Sequence, residues 1–436
     1  MSKRTWSWWR WALLLAVALG LAAFALAWHP VIDKLPANSP RRFDPVQVER
    51  GARLAAVGTC GTCHSADIAK PYTGGLPLGT PFGVVYSTNI TPDRDTGIGG
   101  WSEQAFVRAM RDGISRDGHH LYPAFPYNHY TRMSTDDIRA IYAWVMTRDP
   151  IRAPAHENKM RFPFGFRPLV AGWNLLFLDK EPVRPAPGKD AAWNRGAYLA
   201  EALGHCGACH TPRNALGAPD HRRYLGGGEA ESWYVPALNK DSPSPLPWSV
   251  EQLTSYLRTG IAPDHAVAGG PMQGVVESLA DADEHDVRAI AVYIHSLMGT
   301  PPPAVQQNAI AGARRVTQEP LPTPAPGDDR LIHLGAQVYA DSCARCHDRG
   351  RQESSGGALQ LPAAVALYDP DPRSLIHIIR DGITPPPAEP GRWMPGFANV
   401  LTDDQVVALA AYLRRHAAQL PPWPDLPASV QKAKQP

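Results

Sequence analysis

Six cysteines fall in three identical settings: Cys60-Gly61-Thr62-Cys63-His64, Cys206-Gly207-Ala208-Cys209-His210 and Cys343-Ala344-Arg345-Cys346-His347. Two thiols on one short turn suit the two vinyl groups of a single porphyrin, and the adjacent imidazole then falls beneath the iron as its proximal ligand. Other chemistries fit less well. One Cys-x-x-Cys could be a redox pair or half of a zinc site. Three copies, each followed directly by His and none set in a βαβ pattern, match neither. The expectation is three covalently bound haem c groups (iron). Cys60, Cys63, Cys206, Cys209, Cys343 and Cys346 form the thioethers, and His64, His210 and His347 hold the metal.

An electron-carrying haem of this type commonly takes Met on the far side of the iron. A repeated Gly-Ile pair supplies a ruler: Gly113-Ile114, Gly260-Ile261 and Gly382-Ile383. Met272 lies eleven residues after Ile261 and Met394 eleven after Ile383, which nominates both as ligands; the same count from Ile114 reaches Phe125, which cannot ligate iron. His119, His120, His129 and Met133 lie nearby, with His129 preferred over Met133. Thioether ligation favours reduced iron and raises the potential, whereas a second imidazole lowers it. His129 would therefore make the first haem the easiest to oxidise. With no sixth ligand, that iron would be open to small molecules.

The motifs recur within a longer repeat that must position them. Each opens on a short helix carrying a glycine, Gly51, Gly196 or Gly335, where a small residue lets another helix approach closely. A second helix is expected at about 101–114, 248–261 and 371–383, each ending in the Gly-Ile pair, since Gly just past a helix is a stop signal. A third follows acidic caps at 135–137, 281–286 and 402–404. Its apolar face reads Ile138, Ile141, Tyr142 and Val145 in the first unit, and Val406, Leu409, Tyr412 and Leu413 in the last.

The chain has 436 residues, enough for about three domains, with 43 Lys plus Arg against 41 Asp plus Glu. That balance gives no footprint for nucleic acid. Residues 1–30 read as an N-terminal membrane anchor or signal peptide: Lys3, Arg4 and Arg10 precede an uncharged run at 11–28, and Ala25-Leu26-Ala27 resembles a cleavage site. Trp28 and Pro30 beside that site favour retention as a transmembrane anchor. The haem domains are placed at 45–150, 191–300 and 331–416. Between them lie a linker at 151–190 with an apolar stretch at 162–178, and a Pro-rich linker at 301–330 expected to be extended. The tail at 417–436 is expected to be loosely ordered.

Further motifs are Gly74-Gly75-Leu76-Pro77, Thr80-Pro81-Phe82-Gly83, Tyr86-Ser87-Thr88-Asn89-Ile90-Thr91-Pro92-Asp93 and Thr96-Gly97-Ile98-Gly99, and in the second unit Tyr234-Val235-Pro236-Ala237-Leu238-Asn239. With these, residues 45–415 resemble the three-haem cytochrome c subunits of membrane-bound bacterial dehydrogenases. The alcohol, aldehyde, gluconate and sorbitol types are similar, as are the cytochrome partners of molybdenum hydroxylases acting on nicotinate, isoquinoline or aldehydes. The turn Pro123-Ala124-Phe125-Pro126-Tyr127, with Phe where alcohol-dehydrogenase members tend to have Met, is closer to the molybdenum branch. The resemblance implies a mainly α fold of three tandem cytochrome c-like domains on the periplasmic side of a bacterial inner membrane. It also implies an electron-transfer subunit without catalytic residues of its own, working with a molybdenum hydroxylase, quinoprotein or flavoprotein subunit. Electrons would leave to ubiquinone or a terminal oxidase. A peroxidase-like enzyme with an open first haem is the alternative, and a terminal-oxidase subunit ranks last.

Overall fold

The structure, a computed structural model, describes residues 5–39, 41–316, 320–348, 360–385 and 394–435. It is mainly α-helical and divides into two compact units. The first comprises Met1–Ala55 and Cys63–Val183, the second Ala56–Thr62 and Arg184–Pro436, so the division runs through the first Cys-x-x-Cys-His motif.

In the first unit an exposed helix, Thr5–Ala27, contains a 20-residue apolar span, Trp8–Ala27. At 1.5 Å per residue that is about 30 Å, enough to cross a hydrocarbon core. The chain leaving it is bound down. Arg108 Nη1 donates to the Pro30 carbonyl (2.7 Å), Ile32 N to Arg116 O (2.8 Å) and Leu35 N to Gly100 O (2.9 Å). The first repeat then runs through an opening helix Pro45–Val57, a motif helix Cys60–His64, a middle helix Glu103–Asp112 and a closing helix Thr135–Val145. A hairpin, Pro77–Thr80 with Gly83–Tyr86, pairs Pro77 with Tyr86 and Thr80 with Gly83, and takes Lys159–Met160 as a third strand.

The second unit carries the other two repeats. Their opening helices are Ala191–Tyr198 and Arg330–Ser342, their middle helices Val250–Thr259 and Arg373–Asp381, and their closing helices Glu284–Leu297 and Asp403–His416. The expected stops are present: Gly113 and Gly260 cap their helices at φ 63° and 76°, and Gly382 follows its helix at φ 77°, values a side chain would resist. Ser102, Ser249 and Thr402 receive backbone N–H bonds at helix starts, the last two in complete capping boxes.

All three opening helices cross their closing helices at the glycine, and the crossing is the same each time. A Cβ at Gly51 would lie 2.0 Å from Ala140 O, at Gly196 1.9 Å from Ala289 O, and at Gly335 2.1 Å from Ala408 O. Four residues after each alanine stands an aromatic, Trp144, Tyr293 or Tyr412, whose Cβ fills the other side of the contact. No other residue type permits this approach of main chain to main chain. In the second repeat the opening helix ends in a π-helical turn, Leu199–Leu203.

Two expectations about the connecting segments are corrected. The 301–330 linker is not an extended spacer. Residues Pro303–Val316 form a helix whose Ala309 is buried and whose Gly312 abuts Pro362, and Leu321 lies in the core of the third repeat. The alanines and glutamines of that stretch are good helix formers, and they outweigh the flanking prolines. The tail is also ordered. Leu426–Ala433 is a helix that buries Leu426, Val430 and Ala433 in the same core as Trp423. That apolar spacing of four and three is an amphipathic stripe visible in the sequence.

One buried carboxyl in this core makes stability depend on pH. Asp369 is 1% exposed, and its carbonyl accepts bonds from Trp423 Nε1 (2.8 Å) and Arg414 Nη1 (2.9 Å). Its carboxyl Oδ1 has no hydrogen-bond partner among the described residues. Burial holds this carboxyl well above the ordinary carboxylate range, against the pull of Arg414. As pH rises past the unfolded value of about 3.9, the unfolded chain releases this proton while the folded chain must keep it, so stability falls with rising pH. Asp369→Asn should abolish that slope. Denaturant unfolding should find the variant's stability gain larger at pH 7.5 than at pH 5, and an equal gain at both would refute the assignment.

Candidate haem sites

The first two motifs are held by one backbone scheme. His64 Nδ1 lies 2.6 Å from the Thr88 carbonyl, and His210 Nδ1 lies 2.7 Å from the Pro236 carbonyl. A carbonyl can only accept, so Nδ1 carries the proton and Nε2 keeps its lone pair for a metal. This second-sphere bond orients a ligating imidazole and sets its tautomer. Burial lowers the pKa of both rings, that of His210 to about 4, which keeps them neutral at physiological pH. Both carbonyls occupy the same place in their repeats, two residues after Tyr86 and Tyr234, each at the end of a hairpin.

The turn following each histidine is built alike. Gly74 N donates to His64 O (2.7 Å) and Gly227 N to His210 O (2.9 Å). The hydroxyls of Ser65 and Thr211 accept from Tyr72 N and Leu225 N, each at 3.0 Å. Gly74 and Gly227 have φ of 75° and 88°, and a Cβ on Gly74 would lie 2.4 Å from the Thr88 carbonyl carbon. That glycine brings the acceptor for His64 into range. Asn89 Nδ2 then bonds Ile151 O (2.8 Å), and Asp93 Oδ1 accepts from Thr96 N and Oγ1 (both 2.7 Å), so the polar run at 86–96 acts as the brace behind the acceptor.

The motif cysteines are only partly sheltered or exposed, and burial acts on three of their thiols. None is in a disulfide. Burial pushes Cys206 and Cys343 up to about 12 and raises Cys209 as well, so these thiols stay protonated, the opposite of a reactive thiolate. No cluster of three or more potential metal-binding side chains forms among the described residues, as a closed zinc site would need. A paired thiol turn beside a neutral imidazole with a free Nε2 fits covalent haem.

Far-side candidates are placed less uniformly. Leu121 N and Ala268 N each donate 2.7 Å to the carbonyl of the capping glycine, Gly113 or Gly260. Phe125 and Met272 lie four residues later, at the same count from that bond, Phe125 in a bend and Met272 already within a helix. Met272 is half-buried at the second position of helix Pro271–Ala280, whose N-cap Gly270 sits against Trp233. Met394 instead pairs directly with Ile383 through two backbone bonds of 2.9 and 3.0 Å. Equal spacing along the chain thus reaches the third repeat's methionine by a different route. In the first repeat His129 (7% exposed) lies in the short helix Tyr127–Tyr130, and Met133 (1% exposed) follows it. His119 is engaged with Asp117, and His120 turns its Nε2 to Ala27 O (3.1 Å).

The family model described as cytochrome c matches residues 48–149, and the model of cytochrome c oxidase, cbb3-type, subunit III matches residues 330–413. A nicotinate dehydrogenase subunit of Pseudomonas putida is 43% identical over 99% of this chain, which spans 36% of that relative's length. The gluconate 2-dehydrogenase cytochrome c subunit of Pantoea cypripedii is 37% identical, covering 92% of this chain and 90% of the relative. The cytochrome c subunit of alcohol dehydrogenase (quinone) from Gluconacetobacter polyoxogenes is 32% identical over 96% of this chain and 90% of its own.

Proposed function

This chain belongs to the family of cytochrome c subunits of dehydrogenases, and from that premise we propose that it carries three haems and relays electrons out of a partner enzyme. It is a haem c protein of electron transport. In the proposed arrangement the domains are 45–150, 191–300 and 331–416. The thioethers form at Cys60 and Cys63, Cys206 and Cys209, and Cys343 and Cys346. His64, His210 and His347 are the proximal ligands, Met272 and Met394 complete the second and third sites, and His129, with Met133 as alternative, completes the first. When bound, each haem supplies a one-electron couple. At the first two sites the polypeptide orients the imidazole through a backbone acceptor and keeps it neutral.

The observation that carries this reading is the threefold recurrence of one glycine crossing next to one Cys-x-x-Cys-His turn. Substrate oxidation belongs in this proposal to a separate catalytic subunit of molybdenum hydroxylase, quinoprotein or flavoprotein type. Electrons pass from it through the haems to membrane ubiquinone or a terminal oxidase. Residues Thr5–Ala27 anchor the chain, with the haem domains on the periplasmic side of the inner membrane.

Mass spectrometry of the mature protein, expressed with a haem-attachment system, should find three haem additions. The Cys206→Ala/Cys209→Ala variant should carry two. A mature protein with fewer than three would end the reading. Phe125 favours the one competing reading, a peroxidase-like first haem; high-spin iron there with peroxide turnover by the isolated protein would establish it instead.

A further inference from the structure

The linker helix Leu169–Phe177 is apolar on both faces, and the first unit accounts for only one of them. Its inner face is packed: Val170 and Ala171 are buried, Asn174 Oδ1 accepts from the Tyr127 hydroxyl (2.6 Å), and Trp173 meets the Tyr127 ring edge-on. The preceding turn is also fixed, with Phe164 O accepting from the Tyr122 hydroxyl (3.1 Å) and its ring against Phe82. The outer face is bare. Leu175 and Leu176 are 67% and 68% exposed, Phe166 is 64% and Phe162 97%, and Leu169 is exposed as well. Large apolar side chains gathered on a rigid surface of a soluble domain mark a contact with something apolar.

The N-terminal helix identifies that contact. It packs against the linker helix within the same unit. The two are also joined at the point where the N-terminal helix ends: His120 bonds Ala27 O through its ring, and Arg167 Nη1 donates to His120 O (2.8 Å) at the start of the linker helix. Lys159 and Arg161 stand exposed on the approach to the apolar turn, whereas beyond the helix Lys180 pairs with Asp112 and is flanked by Asp179 and Glu181. Apolar residues with a cationic approach, held beside a helix long and apolar enough to cross a membrane, have the composition of an element lying in the interfacial plane of a bilayer.

We propose that residues 162–176 are a second membrane contact, which seats the first haem domain on the bilayer beside the anchor. The proposal rests on the anchor reading of Thr5–Ala27, and its test separates the two. Nitroxide labels would be placed singly at Phe166→Cys, Leu176→Cys, Leu15→Cys in the anchor and Glu49→Cys on the outer face of the opening helix. The full chain would be reconstituted in phosphatidylcholine–phosphatidylglycerol nanodiscs, and accessibility to dissolved oxygen compared with that to a water-soluble nickel chelate. Labels at 166 and 176 should favour oxygen, as at 15, while the label at 49 favours nickel. If 166 and 176 follow 49 while 15 stays lipid-like, the seat is refuted and the anchor survives. An aqueous signal at 15 removes both. Shielding of 166 and 176 from both reagents only after a dehydrogenase subunit is added would assign the face to that partner and overturn the proposal.

Discussion

The Gly335→Val variant should lose its third haem domain and keep the other two. The added Cβ would sit 2.1 Å from the Ala408 carbonyl oxygen and 2.6 Å from Tyr412 Cβ. Relief cannot come from a rotamer change, because the nearest obstacle is main chain. The helices Arg330–Ser342 and Asp403–His416 would have to part, and together they supply much of the core around Val338, Tyr339, Val406 and Leu409. Overpacking usually costs about 1–3 kcal/mol, and a collision with main chain belongs at or beyond the top of that range. Against a net domain stability of about 5–15 kcal/mol, that is a large share. Gly335→Ala should fall between wild type and valine. Haem content by mass, followed by thermal unfolding, reads the effect; full haem loading with an unchanged melting curve in the valine variant would show that the crossing does not hold the domain.

The second large effect is expected at the far side of the irons. Met272→Ala and Met394→Ala should each convert one haem from low-spin to high-spin and lower its potential, because thioether ligation favours the reduced metal. For the first haem, His129→Ala should produce the high-spin signal and Met133→Ala should not. The reverse would transfer the ligand to Met133, and loss of low-spin character in neither variant would discard both. Phe125→Met gives an independent check. Phe125 stands at the same count from the capping-glycine bond as Met272 in the second repeat, so this change should offer the first iron a thioether and raise its potential. Magnetic circular dichroism with redox titration of each variant resolves these outcomes. If Met272→Ala and Met394→Ala both leave spin state and potential unchanged, the ligand assignments fail.

Much of this architecture is legible in residue types. The thiol turns, the glycine stops, the acidic helix starts and the crossing glycines declare themselves because each depends on a property of a particular side chain, or on its absence. What sequence reading missed depends on main chain. Thr88 and Pro236 act through their carbonyls, which any residue could supply, so their role left only a weak signal in the equal offset from Tyr86 and Tyr234. Met272 and Met394 share a count from Gly-Ile but not a hydrogen-bonded position. The second linker and the tail depart from expectation because their apolar residues, at 303–316 and 423–433, find a core to pack on.

The π turn at Leu199–Leu203 shows what the first two repeats preserve. Gly196 precedes its first motif cysteine by ten residues, whereas Gly51 precedes Cys60 by nine. In an ordinary helix one added residue would rotate everything after it by about 100° and turn the thiols away from the side on which the glycine makes its contact. A single widened turn absorbs the surplus by rewiring a few main-chain bonds, as Gly204 N does in reaching back five residues to Leu199 O. Angular phase, rather than length, is therefore what these two repeats keep between the glycine and the first motif cysteine, and a one-residue insertion can settle there without turning the motif aside.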